Sequence, residues 1–240
     1  MSYTNTLPFK YGIAESGLIN KIDLQEDIPS VCAQKVIAGK VDIGLIPVAV
    51  IPLLKERYII SKFCLGSNGK VDTVKLYSAV PLEKIEKIYL DYQSRTSVTL
   101  VQVLSKFYWK IIPQFLPAQE GFEKLISGNT AAVVIGDRCF DMNGKFAYEY
   151  DLAGEWKKHT DMPFVFAAWV SNKKIDEIFI SEFEKVLTWG VQHIKEAVSK
   201  NISADKLELI TTYLTQRINY DFNEEKQKSM QHFLHLLKQL

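Results

Sequence analysis

Hydrophobic and polar positions along the first third of the chain predict strands that alternate with short helices. Residues 29–38 are expected to form a helix, because Pro29 suits a first turn and Gly39 suits the position just past the end. Apolar runs bounded by turn residues predict strands at residues 22–25, 41–46, 58–64 and 73–78, with a short helix beginning at Pro47. Such alternation favours a mostly parallel sheet.

A second unit of the same kind is predicted to begin near Pro81. Its strands are expected at residues 88–90, 114–116, 131–135 and 163–170, and its helices at residues 96–109 and 121–127. From residue 175 onward the pattern is helical only, over residues 175–200, 204–216 and 223–240. The helices before Pro81 are too few to cover both faces of the first sheet, so we expect the C-terminal helices to return and pack on it.

The predicted fold class is therefore α/β, with two lobes and a ligand cleft between them. Residues 1–80 and 173–240 would form a discontinuous first lobe, and residues 81–172 an inserted second lobe. The last segment, residues 223–240, places Met230, Phe233 and Leu237 on one side. We interpret that side as docking on the protein's own core rather than on a partner.

Composition narrows the class of protein. The chain has 240 residues, is 47% hydrophobic and carries a net charge of only +1, which argues against a nucleic-acid surface. The three cysteines, Cys32, Cys64 and Cys139, lack CxxC spacing and are interpreted as buried thiols in a reducing compartment. No apolar run reaches the roughly 20 residues that cross a bilayer, and the first residues lack a secretory signal pattern. A cytoplasmic protein is expected, and a homodimer is left open.

The most informative stretch is Ser94-Arg95-Thr96-Ser97, between a predicted strand and a predicted helix. Hydroxyls, a guanidinium and free N–H groups at a helix start favour an anion such as a carboxylate. The alternative is that Ser94 or Thr96 only caps the helix.

Other polar residues follow predicted strands, where open α/β sheets bind ligands. These candidates are Tyr3-Thr4-Asn5, Ile46-Pro47, Thr73 and Gly136-Asp137. Asp137 would be a helix cap, an anchor for a ligand hydroxyl, or a general base.

Histidines and nucleotide motifs do not add to this site. All four histidines lie at or after residue 159, away from the predicted strand ends, and no GxGxxG or Walker pattern occurs. His232 and His235 are three apart, but we interpret them as a solvated helix face and expect no metal. No cofactor is predicted.

Several motifs in order resemble one family. They are SYTNTLPF at residues 2–9, GKVDIGLIP at 39–47, SRTS at 94–97, IGD at 135–137, and GEW at 154–156 followed by PFVFA at 163–167. Together they resemble the chorismate dehydratases of the futalosine route to menaquinone. The motifs extend over about residues 2–172, and the rest matches in its helical layout.

The resemblance implies a fold like that of type II periplasmic binding proteins, used by a cytoplasmic enzyme. It implies cofactor-free removal of water from chorismate, a dicarboxylate, to give 3-[(1-carboxyvinyl)oxy]benzoate. Asn5 would be the key polar group near the leaving hydroxyl or the enolpyruvyl group, with Asp137 as the second catalytic candidate. The implied substrate-binding residues are Tyr3, Pro47, Thr73, Ser94, Arg95, Thr96, Ser97 and Gly136. The alternatives are a turn residue for Asn5 and an ordinary strand threonine for Thr73.

Two departures from the family pattern are visible. Thr4 stands where an apolar residue is usual, and a strand is expected before Ser2-Tyr3, where the sequence has only Met1. A missing central strand would leave its neighbours with unpaired edges. Two rival functions are the sister enzyme 1,4-dihydroxy-6-naphthoate synthase and a non-catalytic solute-binding or sensor protein. The sister family is expected to carry an Ile-His-Glu-like triplet where this chain has Ile135-Gly136-Asp137.

Overall fold

The computed structural model describes residues 3–240. The expectation about a strand ahead of Ser2-Tyr3 falls outside the described residues. Within that range the strands are β1 (Ile43–Pro47), β2 (Tyr58–Ser67), β3 (Val74–Ser78), β4 (Lys87–Leu90), β5 (Gln114–Pro117), β6 (Thr130–Ile135), β7 (Tyr148–Asp151), β8 (Phe164–Ser171) and β9 (Asn219–Asp221).

The α-helices of the same residues surround these strands. They are α1 (Leu7–Glu15), α2 (Pro29–Ile37), α3 (Thr96–Val103), α4 (Arg138–Met142), α5 (Leu152–Thr160), α6 (Glu177–Gln192), α7 (Ile194–Asn201), α8 (Leu207–Thr212) and α9 (Glu224–Leu237). Two π-helical turns, Leu104–Trp109 and Tyr213–Arg217, continue α3 and α8. No helix among these combines the length and apolar character that crossing a membrane requires.

The strands form two sheets, which confirms the predicted α/β architecture with two units. The first sheet has the order β1-β8-β2-β9, and the second has the order β5-β4-β6-β3-β7. The predicted return of the C-terminal helices is also confirmed, since α6 packs on α1 and β2, and α9 packs on β8. The docking side of α9 includes the buried residues Met230 and Phe233.

The prediction of a mostly parallel sheet was wrong. Only the pairings of β4 with β5 and with β6 are parallel among the described strands. The first sheet is antiparallel throughout, because β8 returns from the second half of the chain and runs between β1 and β2 in the opposite direction.

Two strands do not lie in the sheet to which the predicted lobe boundaries assign them. Boundaries at residues 80 and 172 would place β3 in the first sheet and β8 in the second. β3 pairs with β6 and β7 of the second sheet, and β8 pairs with β1 and β2 of the first. The chain therefore leaves the first sheet before β3 and re-enters it at β8. Both changes of sheet pass close to Thr73 and Phe166, which line the cavity described below.

Some local predictions also differ from the structure. Residues 22–25 form no strand, since none of the described strands pairs with this segment, although Ile22 itself is extended. The predicted helix at 96–109 is α3 closed by a π-helical turn, and the one at 121–127 is a single 3-10 turn. β7, β9 and α5 were not predicted, because their polar residues obscure the apolar periodicity, and α1 was not predicted because Pro8 and Gly12 disfavour a helix assignment from sequence.

The cysteines are all free, and Cys64 and Cys139 are buried as expected, while Cys32 is partly exposed. Burial raises the pKa of the Cys64 and Cys139 thiols to about 12. Both therefore behave as small apolar residues of the core.

Two glycines set the distance between α1 and α6. A Cβ atom on Gly190 would lie 2.1 Å from the Pro8 carbonyl oxygen, and one on Gly12 would lie 2.4 Å from that of Val186. Both obstacles are backbone atoms, so neither can rotate away. This close crossing fixes α1, and with it the turn that carries Asn5.

Replacing Gly190 by alanine is expected to destabilise the protein by about 1–3 kcal/mol, because the added methyl group forces the two helices apart. Urea denaturation monitored by circular dichroism measures this change. The control is Lys185→Ala, an exposed position of the same helix, which should change the free energy of unfolding by about 0.5 kcal/mol or less. Equal effects of the two substitutions would contradict the proposed close packing.

Candidate active site

The start of α3 forms one wall of a cavity between the two sheets. The hydroxyl of Ser94 accepts the N–H of Ser97 at 3.0 Å, so Ser94 does cap the first turn. Thr96 donates its hydroxyl to the Phe166 carbonyl at 2.9 Å and accepts the N–H of Ala49 at 3.3 Å. Ser97 is buried, yet its hydroxyl makes no hydrogen bond within residues 3–240. The capping interpretation holds for Ser94, whereas substrate binding by Ser97 stays a prediction.

The cavity brings together all of the predicted site residues except Thr4, Ile46, Arg95 and Asp137. Those that line it are Tyr3, Asn5, Pro47, Thr73, Ser94, Thr96, Ser97 and Gly136. The wall residues that sequence reasoning missed are mostly apolar and are Pro29, Leu65, Val71, Val74, Ile135, Phe166, Ala167 and Ile218. No charged side chain is part of this wall as far as the described residues show. A few uncharged polar groups in an apolar wall are typical of a small-molecule site.

Arg95 and Asp137 point elsewhere. The guanidinium of Arg95 donates to the Ser94 carbonyl at 3.0 Å. Asp137 Oδ2 accepts the N–H of Thr4 at 3.3 Å and its hydroxyl at 2.9 Å. Asp137 makes no side-chain cap to α4, and the hydroxyl that it accepts belongs to Thr4 rather than to a ligand, so its roles as hydroxyl anchor or general base stay predictions. The polar Thr4, which departs from the family pattern, thus has a partner across the cleft.

Tyr3 packs on Gly136 at the end of β6. Gly136 has a φ of +72°, and a Cβ there would lie 2.4 Å from Tyr3 Cε1. Glycine is required both for the left-handed backbone and for the approach of the ring. The Tyr3 hydroxyl donates to Gln93 Oε1, and burial, with Asp91 nearby, raises the pKa of this phenol. Tyr3 therefore stays protonated and joins the turn at residues 4–6 to the loop before α3.

Asn5 presents an unpaired acceptor. It lies in the 3-10 turn Thr4–Thr6 directly ahead of α1. Its Oδ1 is buried and has no hydrogen-bond partner within the described part of the chain. A buried carbonyl oxygen without a partner is costly, so a ligand donor at this position would stabilise the site. The main-chain carbonyl of Asn5, unlike its side-chain oxygen, has a partner, because it accepts a hydrogen bond from the Tyr220 hydroxyl at 3.1 Å.

Thr73 faces the same cavity from just before β3. Its Oγ1 lies 2.8 Å from the hydroxyl of Tyr213, and its carbonyl accepts the N–H of Gly136 at 2.9 Å. The hydroxyl is buried and already has a partner in Tyr213, so both the substrate-binding role and the alternative of an ordinary strand threonine stay open.

A buried ion pair supports this end of the second sheet. Asp91 follows β4, and its carboxylate accepts the N–H groups of Gln93 and Ile135, each at 3.0 Å. It also pairs with Arg138, which reaches Glu123 at 2.6 Å with its other nitrogen. Burial raises the pKa of Asp91, while Arg138 and the two N–H groups act in the opposite direction. One carboxylate thus ties the loop before α3 to the end of β6.

Sequence reasoning missed this carboxylate although a signal was present. Asp91 ends the strand-like run that precedes Ser94, and carboxylates at strand ends are candidates for such roles. Tyr213 and Tyr220 gave no comparable signal, because both come from a distant part of the chain.

Comparison with known proteins agrees with the geometry. A family profile described as menaquinone biosynthesis matches residues 1–239. The chain belongs to this family. Membership places it in the menaquinone pathway and confirms the resemblance at the family level.

Solved structures that are similar to this chain confirm its periplasmic-binding-protein-like fold. A protein from Archaeoglobus fulgidus has 12% identity and a TM-score of 0.72, covering 99% of this chain and 94% of its own. The periplasmic aliphatic sulphonate binding protein from Escherichia coli has 13% identity and a TM-score of 0.60, covering 98% and 89%. An ABC transporter from Parabacteroides distasonis has 17% identity and a TM-score of 0.59, covering 95% and 88%. At these identities the likeness concerns the fold alone.

Proposed function

We propose that the protein is a chorismate dehydratase, which removes water from chorismate and gives 3-[(1-carboxyvinyl)oxy]benzoate. The observation that carries the proposal is the unpaired, buried Oδ1 of Asn5 in an uncharged cavity. A substrate hydroxyl could donate to this oxygen, and the free Ser97 hydroxyl at the α3 start suits a substrate carboxylate. The menaquinone biosynthesis family supports the choice of pathway.

The reaction fits a site without charged groups on its wall. A ring proton leaves, the bond from ring carbon to hydroxyl breaks, and the two depart as water while the ring becomes aromatic. Because aromatisation supplies the driving force, the protein has to hold the substrate, orient the hydroxyl and exclude bulk water.

The proton acceptor is better assigned to one of the substrate's own carboxylates than to Asp137. Asp137 does not line the cavity, and one of its oxygens already accepts two hydrogen bonds from Thr4. A carboxylate of the substrate itself is already held near the ring proton, which favours proton transfer to it.

Binding requires the two sheets to separate. The cavity holds about 50 Å³, well below the ~300–1,000 Å³ of typical small-molecule sites. Contacts that cross the cleft, such as Thr4 with Asp137, would break during opening and re-form around the substrate.

Incubation of the purified protein with chorismate tests the proposal. The expected result is loss of the diene absorbance together with appearance of the benzoate product by mass spectrometry. Saturable binding of chorismate without turnover, measured by calorimetry, would contradict the enzyme and indicate a solute-binding protein. Neither binding nor turnover would contradict both, and would leave the sister synthase as the next candidate within the pathway.

A further inference from the structure

The turn Thr4–Thr6 and the segment that follows β6 meet across the cleft. The turn is held to the first sheet, because the Asn5 carbonyl accepts the hydroxyl of Tyr220 in β9, and because α1, which follows the turn, packs on α6. Asp137 belongs to the second sheet, since it comes two residues after the end of β6. The hydrogen bonds between Thr4 and Asp137 therefore join two units that are each fixed to their own sheet.

The two carboxylate oxygens of Asp137 have opposite preferences. Oδ2 accepts the N–H of Thr4 at 3.3 Å and its hydroxyl at 2.9 Å, and both bonds favour the closed cleft. Oδ1 is buried and has no hydrogen-bond partner within residues 3–240. A buried carboxylate oxygen without a donor is costly, and water would reach it once the two sides part. The same side chain thus stabilises closure with one oxygen and favours opening with the other.

We propose that Thr4 and Asp137 form a clasp that sets how often the cleft opens. Opening is needed because the cavity of about 50 Å³ is far smaller than a typical small-molecule site. Two other hydrogen bonds across the cleft, from the Tyr3 hydroxyl to Gln93 Oε1 and from the Ser30 N–H to the Gln93 carbonyl, have uncharged acceptors. Bonds to a carboxylate are roughly twice as strong as bonds between neutral groups, so the clasp contributes more than either of these.

The clasp acts on rates rather than on affinity. It is closed before a ligand enters, and it closes again after the ligand has bound. A weaker clasp therefore makes entry and release faster by the same factor, and the two changes cancel in the dissociation constant. The clasp itself does not depend on which ligand binds, whereas its effect on chorismate rests on the proposed function.

Thr4→Val is the direct test, because it removes the hydroxyl and keeps the branched shape and the N–H. The Ser30 amide reports on opening, since Ser30 lies in α2, which packs on β1 of the first sheet, and its acceptor Gln93 lies across the cleft at 3.1 Å. We expect hydrogen–deuterium exchange at the Ser30 amide, followed by NMR, to become about 10-fold faster. The amide of Val133 in the central strand β6 should keep its rate, because its exchange requires opening of the sheet itself.

Thr188→Val is the matched control. Its hydroxyl donates to the Glu184 carbonyl at 2.7 Å within α6, so the substitution removes a threonine hydrogen bond that does not cross the cleft. It should leave exchange at Ser30 unchanged. An unchanged Ser30 rate in Thr4→Val, or an equal acceleration at Ser30 and Val133, would overturn the clasp, since the second result would indicate general destabilisation.

Binding kinetics test the consequence for the substrate. Stopped-flow measurements with chorismate should give association and dissociation rates that both rise about 10-fold in Thr4→Val, with a dissociation constant that hardly changes. A weaker dissociation constant at an unchanged association rate would contradict the clasp, because Thr4 would then act only in the bound state. A protein that binds no chorismate, but in which Thr4→Val still accelerates exchange at Ser30, would count against the proposed function and support the clasp.

Discussion

Replacing Asn5 by alanine is expected to lower turnover of chorismate by about 100-fold or more, while the melting temperature changes little. The substitution removes the buried acceptor that would orient the leaving hydroxyl, and losses of this size are typical when one oriented polar group at a reacting atom is removed. The small change in stability follows because Oδ1 has no partner to lose within residues 3–240. Steady-state kinetics and thermal melting of the same preparations measure the two effects.

Two further variants define what Asn5 contributes. Asn20→Ala changes an exposed asparagine and should affect neither turnover nor melting. Asn5→Asp keeps the shape but places a negative charge beside a dianionic substrate, so it should weaken binding as well as turnover. Parallel losses of activity and melting temperature in Asn5→Ala would show that Asn5 is only a structural turn residue, the alternative that its position before Pro8 also allowed.

The positions of the cavity residues could be predicted because the signals are local. Gly136 follows an apolar strand, Ser94 to Ser97 precede an apolar helix, and Thr73 opens a strand, so each falls at an element end. Ends of strands in an α/β protein face the ligand cleft. Local patterns therefore predict the polar residues of the cavity wall, whereas its apolar residues are not distinguishable from ordinary core positions.

Directions of side chains and of strands could not be obtained in the same way. Arg95 was expected to face the ligand, but its guanidinium folds back onto the neighbouring Ser94 carbonyl. β8 was assigned to the second unit because it follows that unit in sequence, whereas pairing between distant segments places it between β1 and β2. Such choices depend on tertiary contacts, which local patterns do not contain.

Tyr213 shows that local sequence patterns also fail to predict tertiary contacts at the site itself. It is 140 residues from Thr73 in the chain, yet the two hydroxyls are 2.8 Å apart. The sequence pattern does not reveal this contact. A buried tyrosine in a helix produces the same apolar periodicity whether its hydroxyl contacts a cavity wall or another part of the core. A residue that supports a site from behind is therefore harder to predict than one that lines it.

The second large effect expected is on stability, from Asp91→Ala. The Asp91 side chain is completely buried, and the substitution would remove the partner of Arg138 and the acceptor of the Gln93 and Ile135 N–H groups together. Removing one member of a buried ion pair costs about 3–5 kcal/mol, and the loss here should fall at the lower end because Arg138 keeps Glu123 as a partner. Chemical denaturation should show a loss in this range, and Asp91→Asn, which keeps one acceptor oxygen, should lose less.

Asp42→Ala is the matched control for Asp91. Asp42 pairs with Lys173 at 2.7 Å, but both side chains are more than half exposed, at 62% and 57%. An exposed pair of this kind contributes about 0–1 kcal/mol. If Asp91→Ala cost no more than Asp42→Ala, burial would not be what makes the Asp91 pair important.

If the expected difference appears, the folded fraction of Asp91→Ala should also bind chorismate more weakly. The reason is that this carboxylate holds the loop before α3 against the end of β6, and both segments carry cavity residues.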